Sequence, residues 1–163
     1  MRILPVLSIL AASSLAFAAA AQAQDGKRLF FEGDMVRGPQ AGQAGPFCVL
    51  ASQFKHKEEV AWRIRVLDAD GKPMDDKSLK SLVVELPDGK KIEAKFKAHP
   101  PRPPQTDNFW STSWVVPADY PTGTFAYKVV ATDQQGHQQT WEPFKVASSQ
   151  LTIVAGDPPM KAN

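Results

Sequence analysis

Residues 58–71 read EEVAWRIRVLDADG. Val60, Trp62, Ile64 and Val66 fall on one side of an extended chain, and Arg63 and Arg65 fall on the other. Successive side chains of a strand point to opposite faces, so this period-two alternation marks a strand with one face buried and one in water. Such one-sided burial belongs to antiparallel sheets, since strands of parallel sheets are covered on both faces. Asp70-Gly71 then turns the chain, because glycine supplies the positive φ a tight turn needs.

The same pattern repeats outward from this strand. In KSLVVELPDGKKIEAKFKAHP, residues 80–100, Leu82, Val84 and Leu86 lead to a turn at Asp88-Gly89. Ile92, Ala94, Phe96 and Ala98 return on one face, opposite Lys91, Glu93, Lys95 and Lys97, which reads as a hairpin. The lysines on its outer face would discourage edge pairing. Residues 100–104, PPRPP, lack donors and are stiff, so they form a crossover or a projecting loop of polyproline character. NFWSTSWVVP, residues 108–117, puts Trp110, Thr112, Trp114 and Val116 in phase. Phe125, Tyr127, Val129 and Ala131 alternate before a turn at Gln135-Gly136, and Leu151 with Ile153 closes the series. No helical face of useful length occurs. Seven to eight short strands, spaced by roughly ten residues and punctuated by turns, predict an all-β antiparallel sandwich.

The segments VAWRIRVLDADGKPMDD (60–76) and VPADYPTGTFAYKVVATDQQG (116–136) resemble bacterial immunoglobulin-like domains. The first is similar to their V-x-V-x-D-x-x-G-x-P strand and turn, the second to their late strand. The likeness covers most of residues 58–146 and implies an immunoglobulin-like sandwich. Domains of that kind serve as adhesins, enzyme appendages, chaperones and redox accessories, so the likeness carries fold and not activity. Two features depart from it. The paired cysteines of antibody domains are absent, and Phe125 stands where a corner tyrosine often sits.

The chain opens MRILPVLSILAASSLAFAAAAQAQDG, with Arg2 ahead of an apolar stretch and Ala21-Gln22-Ala23 as a small-x-small cleavage motif. This is the layout of a bacterial secretory signal over residues 1–23, with the periplasm as destination. No later segment is apolar for long enough to span a bilayer as a helix. The remaining organisation reads as a lead segment and loop over 24–46, the sandwich over 47–156 and a loose tail over 157–163. Removing Arg2 takes Lys+Arg from 19 to 18 against 17 Asp+Glu, for a formal charge of +1. Without a Lys/Arg run, nucleic acid is not the expected partner.

Cys48, in the apolar run FCVL (47–50), is the single cysteine. A lone thiol in an oxidising compartment is explained by burial as a small hydrophobe, by metal ligation, or by pairing with another chain. A copper or other metal site would draw on Cys48, His56, His99, His137 and Met74. The spacing does not favour it, since Cys48 and His56 lie about 25 Å apart on an extended chain. Trp110 and Trp114 offer core packing or a sugar-binding platform, and Phe109 and Trp141 are the aromatics expected nearer the surface. Asp68, Asp70 and Asp75 suit either a hairpin turn or calcium. Neither a nucleophile elbow, a phosphate-binding glycine loop, His-Glu-x-x-His nor Cys-x-x-Cys occurs.

These readings make the chain a non-catalytic periplasmic module that binds another protein, as accessory subunit of an exported redox or transport system. Phe31, Arg37, Pro101, Arg102, Phe109 and Trp141 are the expected contact residues, because loops and lead segments carry function on such scaffolds. The alternatives are a copper- or metal-binding protein and a carbohydrate-binding module. Expression in a Gram-negative host should yield a periplasmic species whose amino-terminal residue, by Edman degradation or intact mass, is Gln24. A protein that retains Met1 in the membrane fraction would refute the export reading.

Overall fold

The structure is a computed structural model in which residues 28–38 and 49–156 are described. The leader, Cys48 and the tail lie outside the described residues. The chain is all-β, with one 3₁₀ turn at Ala147–Ser149. The strands are β1 (Phe30–Arg37), β2 (Val49–Leu50), β3 (Gln53–Lys55), β4 (Glu59–Leu67), β5 (Leu79–Glu85) and β6 (Lys91–Glu93). They continue as β7 (Lys95–His99), β8 (Asp107–Val115), β9 (Gly123–Phe125), β10 (Lys128–Asp133), β11 (Gln138–Trp141) and β12 (Leu151–Val154).

The strand predicted from residues 58–71 is β4, the middle strand of a five-stranded sheet ordered β2-β1-β4-β8-β7. It pairs on one side with β1, Trp62 opposite Met35, and on the other with β8, Trp62 opposite Thr112. A four-stranded sheet, β11-β10-β5-β6, and a three-stranded sheet, β3-β12-β9, complete the fold. Inward residues of all three sheets meet in one cluster. Val60, Trp62, Ile64, Val66, Trp110 and Trp114 come from the large sheet, and Leu82, Val84, Val129 and Ala131 from the four-stranded one. Phe54, Leu151 and Ile153 come from the third. This is the expected β-sandwich.

Three details differ from the sequence reading. Among the described residues there are twelve strands and not seven to eight, because long alternating runs break where the chain leaves one sheet for another. Ala94 is such a break: its N–H donates to Leu82 at 2.8 Å, within the four-stranded sheet, while the next residues pair with β8. The Ile92–Ala98 face is therefore shared between two sheets. The second break separates β9 from β10, whose residues Phe125, Tyr127, Val129 and Ala131 keep their common phase. Next, one pair is parallel: β12 and β3, with Ile153 opposite Phe54. Last, the lead segment, read as a stretch ahead of the sandwich, supplies β1, eight residues bonded along their length to β4.

The turns are those the glycines indicated. Gly71, Gly89 and Gly136 all have positive φ, of 77°, 85° and 91°. In each turn an aspartate accepts backbone N–H groups two residues on: Asp70 to Asp68, Lys90 to Asp88, Gln135 to Asp133. Asp75 does the same with Lys77 and caps Ser78. Such Asx turns account for the acidic cluster at 68–76 as hairpin chemistry.

On the outer face of the large sheet, charges pair across strands. Arg63 grips Asp34 through two bonds of 2.8 and 2.6 Å, and Arg65 bridges Asp107 and Glu32. Exposed pairs of this kind are worth about 0.2–1 kcal/mol each. Glu85, on the four-stranded sheet, is bonded by Lys91 at 2.9 Å and Lys128 at 3.0 Å, which hold its carboxyl below the usual range.

Trp62 is 1% exposed and sits edge-on to Tyr127 at 5.8 Å. Trp62→Ala should cost about 3–5 kcal/mol through lost transfer energy and the cavity left behind. Urea unfolding followed by circular dichroism checks this; a loss under about 1 kcal/mol would mean that Trp62 is not central to the core.

Candidate functional site

A concavity lies where β1 and β2 of the large sheet face β11 and the segment after it. It encloses about 500 Å³. Met35, Tyr127 and Trp141 form its floor, and Leu50, Pro143 and Phe144 its lips, with Ser52, Ser148 and Ser149 on the rim.

Each part follows from local sequence. Alternation along β1 turns Phe31, Gly33 and Met35 inward, since these residues stand opposite Val66, Ile64 and Trp62. Pro143 has no N–H to donate, which ends the ladder at Trp141 and releases the chain outward. Phe144 is consequently 82% exposed. Leu50 is 67% exposed because β2 is only two residues long and lies at the sheet edge. Two large apolar side chains thus stand in water on either side of one groove.

Gly33 is constrained here by close approach and not by φ, since a side chain would oblige the facing indole to give by a few tenths of an ångström. A Cβ added to it would lie 3.1 Å from the Trp141 indole, which occupies that space. Phe31 stacks on the same indole with centroids 6.3 Å apart and planes 6° from parallel. The Leu29 N–H donates to Gln139 at 2.9 Å, tying the start of β1 to β11.

The expected contact residues fall in different places. Trp141 lines the groove and Phe31 stacks on it from beside the groove; both are half-buried, so Trp141 is less open than the sequence suggested. Arg37 is an internal tether: it donates to the Gln53 carbonyl at 3.2 Å, and its Nε lies 3.4 Å from Glu58. Pro101 and Arg102 are exposed on the loop between β7 and β8, which projects as a hairpin and does not cross between sheets. Phe109 is half-buried on the outer face, its ring 5.1 Å from that of His99. It borders a shallow charged depression of about 320 Å³ with Arg63, Arg65 and Asp107.

The proposed metal ligands are also dispersed. His56 Nε2 lies 2.7 Å from the Tyr120 carbonyl. His137 Nδ1 lies 2.9 Å from Asp133, in the turn between β10 and β11. His99 ends β7 against Phe109, and Met74 is half-buried against the core, its carbonyl accepting the Trp110 indole N–H at 2.8 Å. Among the described residues no three His, Cys, Asp or Glu side chains lie together as metal ligands would. Trp110 and Trp114 are buried and form no platform.

Leu50, Pro143 and Phe144 were missed in the sequence. The available signal was the aromatic next to a strand-ending proline, in WEPF, residues 141–144.

No protein-family model matches this chain. No curated protein is similar to it either.

Tyr127 links the groove to the core. Burial pushes its phenol up to about 12, against an ordinary value near 10. A phenol held neutral in the folded state stabilises the fold fully below pH 10 and loses that contribution as pH rises through 12. Two pH units correspond to about 2.7 kcal/mol. Unfolding free energy should therefore fall over that alkaline interval, and Tyr127→Phe should flatten the fall by about 2–3 kcal/mol. An unchanged slope in the variant would contradict this placement of Tyr127.

Proposed function

We propose that this chain is a non-catalytic, exported module of the periplasm that binds another protein, as an accessory subunit of a larger exported system. The observation that supports the reading is the groove beside β1, with Leu50 and Phe144 exposed on its lips and Trp141 stacked in its floor. Buried cores of protein interfaces are rich in such aromatics and depleted in charge. The groove belongs to the lead segment and to the stretch after β11, and it is built on rigid strands that hold its shape before a partner arrives. The immunoglobulin-like resemblance is compatible with an accessory role, since many exported modules of that kind act by docking.

Photo-crosslinking in the periplasm of the source cell tests the reading. A benzophenone side chain at position 50 or 144 should join the protein to a second, different protein identifiable by mass spectrometry. The same probe at position 72, in the turn after β4, should not. Phe144→Asp should reduce the yield of the position-50 adduct by about tenfold, the effect of losing one buried aromatic anchor. The reading fails if neither groove position gives an adduct above that of position 72.

A further inference from the structure

We infer that copies of this chain associate head to tail, with β7 of one copy adding to the open edge of β1 in the next. This goes beyond partner binding, and it rests on the ladder groups and charges of two strand edges, not on the groove.

β1 is paired along its whole length to β4, but on its other side, among the described residues, only Val36 and Arg37 have strand partners, in β2. Phe30–Asp34 is left as an edge of five residues. β7 is the terminal strand at the opposite side of the same sheet, also of five residues, and pairs only with β8. β1 runs antiparallel to β4, β4 to β8 and β8 to β7. A translated copy therefore presents β7 antiparallel to β1, and the sheet continues without reversal.

The hydrogen-bonding phase agrees. The Gly38 N–H donates to Glu59 at 2.8 Å, so even-numbered residues of β1 turn their backbone groups to β4. Odd-numbered ones face the open side, where the Met35 carbonyl accepts the Ala51 N–H at 3.1 Å. The Val116 N–H donates to Glu58 at 2.9 Å, which fixes the same alternation in β8 and, through it, in β7. There the odd residues face β8, and Phe96 and Ala98 face the open side. Setting Phe31 against Ala98 and Gly33 against Phe96 forms two hydrogen-bonded pairs.

This one register also matches charge. On the outer face it places Glu32 opposite Lys97 and Asp34 opposite Lys95. Glu32 is 62% exposed and reaches its own Arg65 only at 3.8 Å; Lys95 is 61% exposed and bonded to Glu93 at 2.8 Å. The lysines of β7 repel a second β7, and the carboxylates of β1 repel a second β1, so only the unlike edges attract. A contact between two different surfaces related by translation does not close on itself, and growth continues past the dimer.

Sedimentation velocity of the mature protein over a rising concentration series reads this out. The weight-average mass should climb beyond that of a dimer and fall back as salt is added, because the outer-face pairs are exposed. Glu32→Lys alone and Lys97→Glu alone should each weaken association roughly tenfold, turning one attractive cross-strand pair into a repulsive one. An equimolar mixture of the two variants should restore it, since each altered edge then meets its complement. Ala98→Pro removes an N–H that faces the open side and should abolish growth while the circular dichroism spectrum and melting temperature stay close to those of the parent protein. A protein that stays monomeric throughout, a mass that stops at the dimer, or a mixture no better than its components would overturn the proposal.

Discussion

A slip of β4 by one residue would carry Arg63 and Arg65 into the core and put Trp62 in water. Burying two unpaired guanidinium groups costs far more than any gain from a new register, so the pairing of β4 is fixed by its own alternation. Because β4 is bonded on both sides, that one constraint propagates. It aligns Met35 and Thr112 with Trp62, and it sets Asp34 and Ser111 beside Arg63 on the outer face. The bidentate Arg63–Asp34 pair is a consequence of this registration more than a cause of it, as an exposed pair contributes little by itself.

The remaining architecture arises where the chain changes sheets. At Ala94 the backbone bonds across to Leu82 and then leaves to pair with β8, and between Phe125 and Lys128 it passes from the three-stranded sheet to the four-stranded one. Each transfer lets a single apolar run line the core from two layers. It also creates edges. β7 becomes a terminal strand only because the chain abandons β6, and β1 keeps a free flank because β2 is too short to cover it. Both the groove and the proposed self-association follow from these edges.

Much was legible from particular residues. Val60 to Val66 announced β4, the turns at Gly71, Gly89 and Gly136 are set by Asx geometry and positive φ, and Trp110 and Trp114 took the buried phase their spacing implied. These are local properties, carried by side-chain period and by the steric freedom of glycine. The groove was legible only in part. Phe31 and Trp141 were marked as contact residues, but their stacking depends on Gly33 leaving room for the indole across the sandwich, a contact between residues more than a hundred positions apart. Arg37 was expected as a contact residue and is a tether to Gln53 and Glu58.

The sequence by itself determined the fold class, the turns and which face of each strand is buried, because these depend on alternation and backbone preference within a few residues. The tertiary structure decided that the lead segment is an inner strand, that one hairpin is divided between two sheets, and that β3 and β12 run parallel. Strand partners are chosen by the closure of one shared core and by which ladder groups are left to bond, and neither is encoded in the period of any single strand.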